Sequence, residues 1–159
     1  MLGVHFAITA EQEKRLLDAD GDDDTVSEII GDLEEEWADD ALKVDTDKAW
    51  DAIHRCLTDG SLDPEAGSPP LSLAVAGGRH LHDEAYVVHV TAGEVRDVAA
   101  ALLDIDEPWL RERFGDFDDD YAGAADEQDF AYTWSNLADL RDFYQRAAAA
   151  GRAVIFTAM

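Results

Sequence analysis

A chain of 159 residues is the size of one domain and can bury roughly 70% of the surface its unfolded form exposes. Its hydrophobic content of 47%, with four Trp, four Tyr and six Phe, is enough for a packed core and excludes a disordered chain. Acids number 37 against 12 Lys and Arg, and the resulting net charge of −25 argues against nucleic acid or an anionic membrane as the main partner.

Two explanations of the acidity stand side by side. An acidic face attracts a partner with a basic surface and speeds its association. Alternatively the whole surface is acidic through salt adaptation or coding bias, which the excess of Arg over Lys and the many Ala and Asp residues suit. Met1–Ile8 has no basic leader, and no apolar run approaches the roughly 20 residues of a membrane helix, so a cytoplasmic protein is expected. The single cysteine, Cys56, suits a reducing compartment and excludes an intrachain disulfide.

Leu2, Val4, Phe6 and Ile8 alternate with Gly3, His5 and Ala7, the period of a half-buried strand, with His5 opposite the apolar row. Thr9 and Gln12 form a capping-box pattern that opens a short helix through Leu16 and Leu17. The aspartate-rich stretch Asp18–Asp24 invites a calcium reading. Setting Gly21 at the invariant sixth position of an EF-hand loop puts Leu16 first and Ser27 twelfth, where acids are required, and the match fails. These aspartates are instead expected to cap a helix from about Thr25 to Trp37, with Val26, Ile29, Ile30, Leu33 and Trp37 inward.

The spacing then predicts a helix over 46–58. Asp45 or Thr46 can cap it, Asp47 lies in the first turn, and Trp50, Ile53 and Leu57 form its apolar stripe. Asp51 and Arg55 stand four apart as an exposed pair worth about 0.2–0.5 kcal/mol. Asp47, Trp50, Asp51 and His54 share another face. An acid, an aromatic ring and an imidazole so placed can hold a small molecule or shuttle a proton; the structural alternative is a core tryptophan with aspartates orienting the turn.

Ser61–Pro70 reads as a loop, Leu71–Val75 as a short strand and Gly77-Gly78 as its stop. His80 and His82, with Asp83 and Glu84 beside them, are the densest set of candidate ligands, but i, i+2 spacing without a third fixed ligand assigns no metal site. Tyr86–Val90 reads as a strand. Thr91 and Glu94 form a second capping box before a helix carrying Val95, Val98, Leu102 and Leu103. Asp106-Glu107-Pro108 begins another helix, with Trp109, Leu110 and Phe114 on its apolar side. Gly115–Ala131 is the least regular part, an acidic loop that reads as solvated or as a contact surface. Thr133 or Ser135 is expected to cap a long helix bearing Leu137, Leu140, Phe143 and Tyr144, and Ala153–Thr157 is apolar enough for a buried strand.

The run from Asp45 to Thr58 resembles the hallmark of the YfbM-like family, small bacterial proteins of unknown function. Pro70–Gly78 resembles that family's Pro-Leu segment ending in Gly. Val90–Phe114 resembles its Thr-capped helix followed by Leu-Arg-x-x-Phe, and the Phe143-Tyr144 helix and the last strand follow in the same order. The chain departs after Phe114, where an acidic loop replaces an Ile-Tyr-Pro element. The resemblance implies an α/β fold with helices packed on a sheet and carries over no catalytic residues.

The expectation is therefore one domain over residues 1–159, an α/β fold with a small mixed sheet of about four strands covered by helices. The last strand should be central, and Trp50, Ile53, Leu57 and Tyr144 should lie in the covering layer. The expected function is a non-catalytic acidic binding protein, immunity-type or regulatory, for a partner with a basic surface. The alternative is a small enzyme or a ligand or metal binder using a pocket between the 46–58 helix and the 77–84 loop, with Asp47, Trp50, Asp51, His54, His80 and His82 as candidates. No cofactor motif is complete, so none is assigned.

Overall fold

The apolar run Ala153–Ala158 forms β5, the middle strand of a computed structural model that describes residues 1–159. β1 (Gly3–Ile8) pairs with it on one side and β4 (Tyr86–Val90) on the other, while β2 (Lys43–Asp47) and β3 (Arg79–His80) form the edges. All four pairings are antiparallel, so the sheet has five strands and is antiparallel rather than mixed.

A central strand whose every residue is buried needs cover on both faces, and consecutive side chains supply it because they point to opposite sides. Phe6, Ile8, Val87 and Ile155 pack under α1 (Ala10–Asp18) and α2 (Asp23–Glu36), with Leu16, Val26, Ile30 and Leu33. Ala7, Val88, Val154 and Phe156 face the larger layer of α3 (Trp50–Leu57), α4 (Ala92–Leu102), α5 (Glu107–Arg113) and α6 (Glu127–Ala149). Trp50, Ile53, Leu57 and Tyr144 all lie in that layer. Both capping boxes form, Thr9 with Gln12 and Thr91 with Glu94, and Asp22 caps α2. No helix is long and apolar enough to cross a membrane.

Three stretches differ from expectation. Leu71–Leu73 is a 3₁₀ turn, not a strand. The backbone beyond it is held by side chains instead of a ladder, the Ala74 carbonyl accepting from His5 Nε2 at 2.8 Å and from the Tyr144 hydroxyl at 2.7 Å. Residues 43–47 form edge strand β2 and do not lead into a helix; Asp47 ends it at φ 50°, and α3 starts only at Trp50 with no side-chain cap. The Thr46 hydroxyl, expected as a cap, donates to the Gly3 carbonyl at 3.1 Å across the β1–β2 pair. The last helix begins at Glu127, well before Thr133, because Asp126 accepts from the Asp129 amide at 2.9 Å.

Gly3 lets α3 lie this close to the sheet. A Cβ there would stand 2.6 Å from Trp50 Cδ1, so the indole occupies the space a side chain would need.

Candidate functional site

Where α3 begins, the chain surrounds a cleft of about 590 Å³. Its lining comes from four places: Lys48, Ala49, Trp50 and Asp51 at the start of α3, Tyr86 on β4, Tyr121–Gly123 in the acidic loop, and Asp129 and Tyr132 on α6. Met1 and Leu62 complete the wall.

Trp50 anchors this corner. It is 5% exposed, its Nε1–H donates to the Met1 carbonyl at 3.1 Å, and its ring lies 5.2 Å from Tyr86 and 5.5 Å from Phe156. Tyr132 bridges the opposite rim: its hydroxyl donates to Asp47 at 2.8 Å and accepts from the Lys48 amide at 2.9 Å. Tyr121 donates to Asp129 at 2.7 Å, and the same Asp129 oxygen accepts from the Ala125 amide at 2.9 Å.

The acidic loop owes its shape to a residue that local spacing marks as exposed. Arg55 is 2% exposed. Its Nε donates to Asp51 at 2.5 Å, and Nη1 donates to Asp120 at 2.9 Å and to the Gly60 carbonyl at 3.3 Å. Its guanidinium lies 5.4 Å from the Tyr121 ring centroid. Gly60, at φ +91°, also accepts from the Asp118 amide at 3.1 Å, and a side chain there would strike the Asp116 carbonyl. An aromatic ladder, Phe130–Phe114–Phe117–Tyr121, holds the loop from the other side. The departure after Phe114 is therefore an ordered wall rather than a loose segment.

The electrostatics of this corner are negative. Burial pushes Tyr121 up, and its bond to Asp129 adds to the shift. Burial raises Tyr132 with help from Asp47, and raises Tyr86 with help from Asp51. Burial pulls Arg55 down, but Asp120 and Asp51 outweigh it and hold the guanidinium above its ordinary value. Asp120 is correspondingly held below the usual carboxylate range by Arg55.

Of the six residues singled out from sequence, Trp50 and Asp51 line the cleft and Asp47 sits at its rim through Tyr132. The histidines lie elsewhere. His54 is buried and donates from Nε2 to the Asp63 carbonyl at 3.2 Å, and burial lowers its pKa. His80 donates to the Ala76 carbonyl at 2.8 Å. His82 accepts at Nδ1 from the Glu84 and Ala85 amides, which fixes its proton on Nε2, 3.0 Å from the Ser27 hydroxyl. His80 and His82 border a separate, smaller hollow with Pro64 and Asp83. No group of three or more His, Cys, Asp or Glu stands where it could hold a metal ion. Tyr86, Tyr121, Asp129, Tyr132 and the buried Arg55 went unnoticed as site residues; only the irregular acidic run at 115–131 hinted at a contact surface.

Residues 1–157 match the family described as Domain of unknown function (DUF1877). Among solved structures, the crystal structure of YfbM from Escherichia coli, a protein of unknown function, is similar with a TM-score of 0.73 and 22% identity over 99% of each chain, a likeness of fold. Among curated proteins none matches in sequence. With residues 1–157 matched by the family, the chain belongs to the DUF1877 family, whose YfbM-like fold it shares.

Proposed function

We propose that the protein is a non-catalytic binding protein that docks a partner with a basic surface through the Trp50 cleft and the acidic loop beside it. The observation that carries this reading is the pattern of free carboxylate oxygens around the cleft. Asp51 gives Oδ1 to Arg55, Asp129 gives Oδ2 to Tyr121 and Ala125, and Asp47 gives Oδ2 to Tyr132; the second oxygen of each has no donor from within the protein. Unpaired carboxylates over aromatic walls are made for cations. A net charge of −25 adds long-range attraction for a basic partner.

The chemistry of the lining favours binding over catalysis. Every histidine has its Nε2 engaged within the fold: His5 with Ala74, His54 with Asp63, His80 with Ala76, His82 with Ser27, and His89 with Glu13. The one thiol, Cys56, is buried, and burial pushes its pKa up to about 12, so it is not poised as a nucleophile. A free, buried thiol also suits the cytoplasm, where we place the protein. The cleft volume of about 590 Å³ falls in the ~300–1,000 Å³ range of small-molecule sites, which supports a small-ligand binder as the second reading.

The test is capture from a host lysate on the immobilised chain at low and high salt, beside the Tyr86→Leu/Asp129→Asn double variant. The expected result is a partner retained at low salt, released at high salt and lost with the variant. Retention of no partner at either salt would overturn the reading.

A further inference from the structure

Resting on the reading of the cleft as a docking site, we infer that its occupant is a single arginine side chain projecting from the partner's basic surface, its guanidinium set between Asp51 and Asp129 against the tyrosine rings. The charge around the cleft favours a cationic ligand: Asp47, Asp51 and Asp129 border it, against two ammonium groups, that of Lys48 and the amino terminus at Met1. The geometry of those carboxylates decides the shape. Each is held from one side by an internal donor and offers its other oxygen, so the site presents separated acceptors rather than one point charge. A guanidinium carries five N–H donors in a fixed plane and can reach more than one such acceptor at once; an ammonium on a flexible stem cannot hold that arrangement as well.

The walls agree. Tyr86, Tyr121 and Tyr132 join the exposed part of Trp50, so the space between the carboxylates is aromatic. Two of these phenols, Tyr121 and Tyr132, donate their protons to carboxylates, which leaves their rings richer in electrons and better partners for a cation. The protein already places guanidinium groups on such surfaces. Arg55 touches Asp51 and Tyr121 from the inner side, and Arg111 lies 3.8 Å over the Phe130 ring while bonded twice to Glu127 at 2.9 Å. The cleft offers the outer side of Asp51 and Tyr121 to a second guanidinium. Its volume of about 590 Å³ admits a long side chain with some of its flanking backbone, which fits a residue presented by a partner protein.

The full chain, labelled with ¹⁵N, would be titrated with blocked Gly-Arg-Gly, with its citrulline and lysine counterparts, and with free arginine, following the Trp50 indole and the amides of Asp51, Ala122 and Gly123. Citrulline keeps the shape of arginine and removes its charge. The arginine peptide should move these signals saturably, the lysine peptide more weakly, and the citrulline peptide at least tenfold more weakly. Asp129→Asn, which keeps an acceptor for Tyr121 and Ala125, and Tyr86→Leu should each weaken the arginine peptide about tenfold, and added salt should weaken it further. Equal shifts from arginine and citrulline peptides would overturn the arginine assignment while leaving a binding cleft in place. Free arginine binding more tightly than the blocked peptide would overturn the partner assignment in favour of a small-molecule site. No response of the cleft signals to the arginine peptide would overturn the inference; if they were also silent toward a captured basic partner, the docking reading would fall with it.

Discussion

Two corners of this molecule look alike in sequence and differ in what they can do. The loop around His80 and His82 and the segment around Asp47–Asp51 both crowd acids beside aromatic or imidazole side chains. In the histidine loop the imidazoles bond inward, while the Asp83 and Glu84 carboxylates take no internal donor and border a hollow with one phenol ring, Tyr86. His82 accepts from two amides and meets Ser27, the Asp83 amide donates to Asp23, Arg79 pairs with Asp20, and His80 donates to Ala76. At the start of α3 the inward bonds take only one oxygen of each carboxylate, and Asp51 and Asp129 line a concave aromatic wall with Asp47 at its rim. Ligand-capable residue types are therefore a poor guide to a site. Free carboxylate oxygens occur in both corners; the size of the concave surface and the aromatic rings around them decide.

The largest test of this contrast falls on Arg55, the internal cation that gives the cleft its wall. Arg55→Ala leaves Asp51 without its donor at 2.5 Å and opens a void where a side chain 1% exposed had packed. Breaking a buried pair from one side costs about 3–5 kcal/mol; the low end applies here, because the Asp120 side chain is 67% exposed and contributes little. Urea denaturation should show that loss, with Arg55→Lys recovering part of it. A loss under about 1 kcal/mol would mean the loop does not depend on this residue.

Close behind stands a pH effect rooted beneath α6. His5 is fully buried among Phe143, Tyr144 and Phe156, its Nδ1 has no partner, and desolvation lowers its pKa from 6.5 to about 4 despite the bond to Ala74. A folded-state pKa below the unfolded one means the unfolded chain binds the proton first. The stability contribution is whole above pH 6.5 and drains as pH falls toward about 4. Over that window His5 alone should remove about 3 kcal/mol, and His54, also lowered by burial, acts in the same direction. The measurement is the stability difference between the native chain and His5→Phe across that window. A difference that stays flat would show that His5 does not titrate as a buried neutral group.

A smaller effect is expected where the strand meets the cleft. Gly3→Ala puts a Cβ 2.6 Å from Trp50, and overpacking of this kind costs about 1–3 kcal/mol. The indole must shift, so the same variant should change Trp50 fluorescence and weaken arginine-peptide binding. Unchanged stability together with an unchanged Trp50 signal would mean that the β1–α3 contact is loose.

The outer frame of the fold was legible because it rests on local signals. β1, β4 and β5 follow from apolar runs, and the Thr9–Gln12 and Thr91–Glu94 boxes mark helix starts within four residues of chain. Trp50, Ile53 and Leu57 declared their buried face by spacing alone. β2 was hidden because an edge strand with one buried residue, Thr46, carries almost no apolar pattern, and its acids imitate helix caps. The start of α6 was hidden for the converse reason, as Asp126, Glu127 and Asp129 read as loop until one of them caps. Arg55 could not be recognised as buried from its neighbours at i±4. The residue that secludes it, Asp120, lies 65 positions away, and only closure of the chain brings the two together. The cleft inherits that dependence, since its walls come from six separate stretches of sequence.

The smallest expected effect draws the contrast most sharply. His82→Ala removes the acceptor of the Glu84 and Ala85 amides on the loop and the partner of Ser27 on α2, so it should lower stability by only about 1 kcal/mol. Its hydrogen-bond partners are not among the residues lining the Trp50 cleft, and the histidine hollow shares only Tyr86 with that cleft. Arginine-peptide affinity measured on the Trp50 indole should then be unchanged within twofold, even though His82 belongs to the most ligand-like run in the sequence. If the substitution instead abolished binding while the chain stayed folded, the histidine loop and the cleft would have to be one site joined through Tyr86. The distinction between the aromatic cleft and the histidine hollow would then fail at the point where it was drawn.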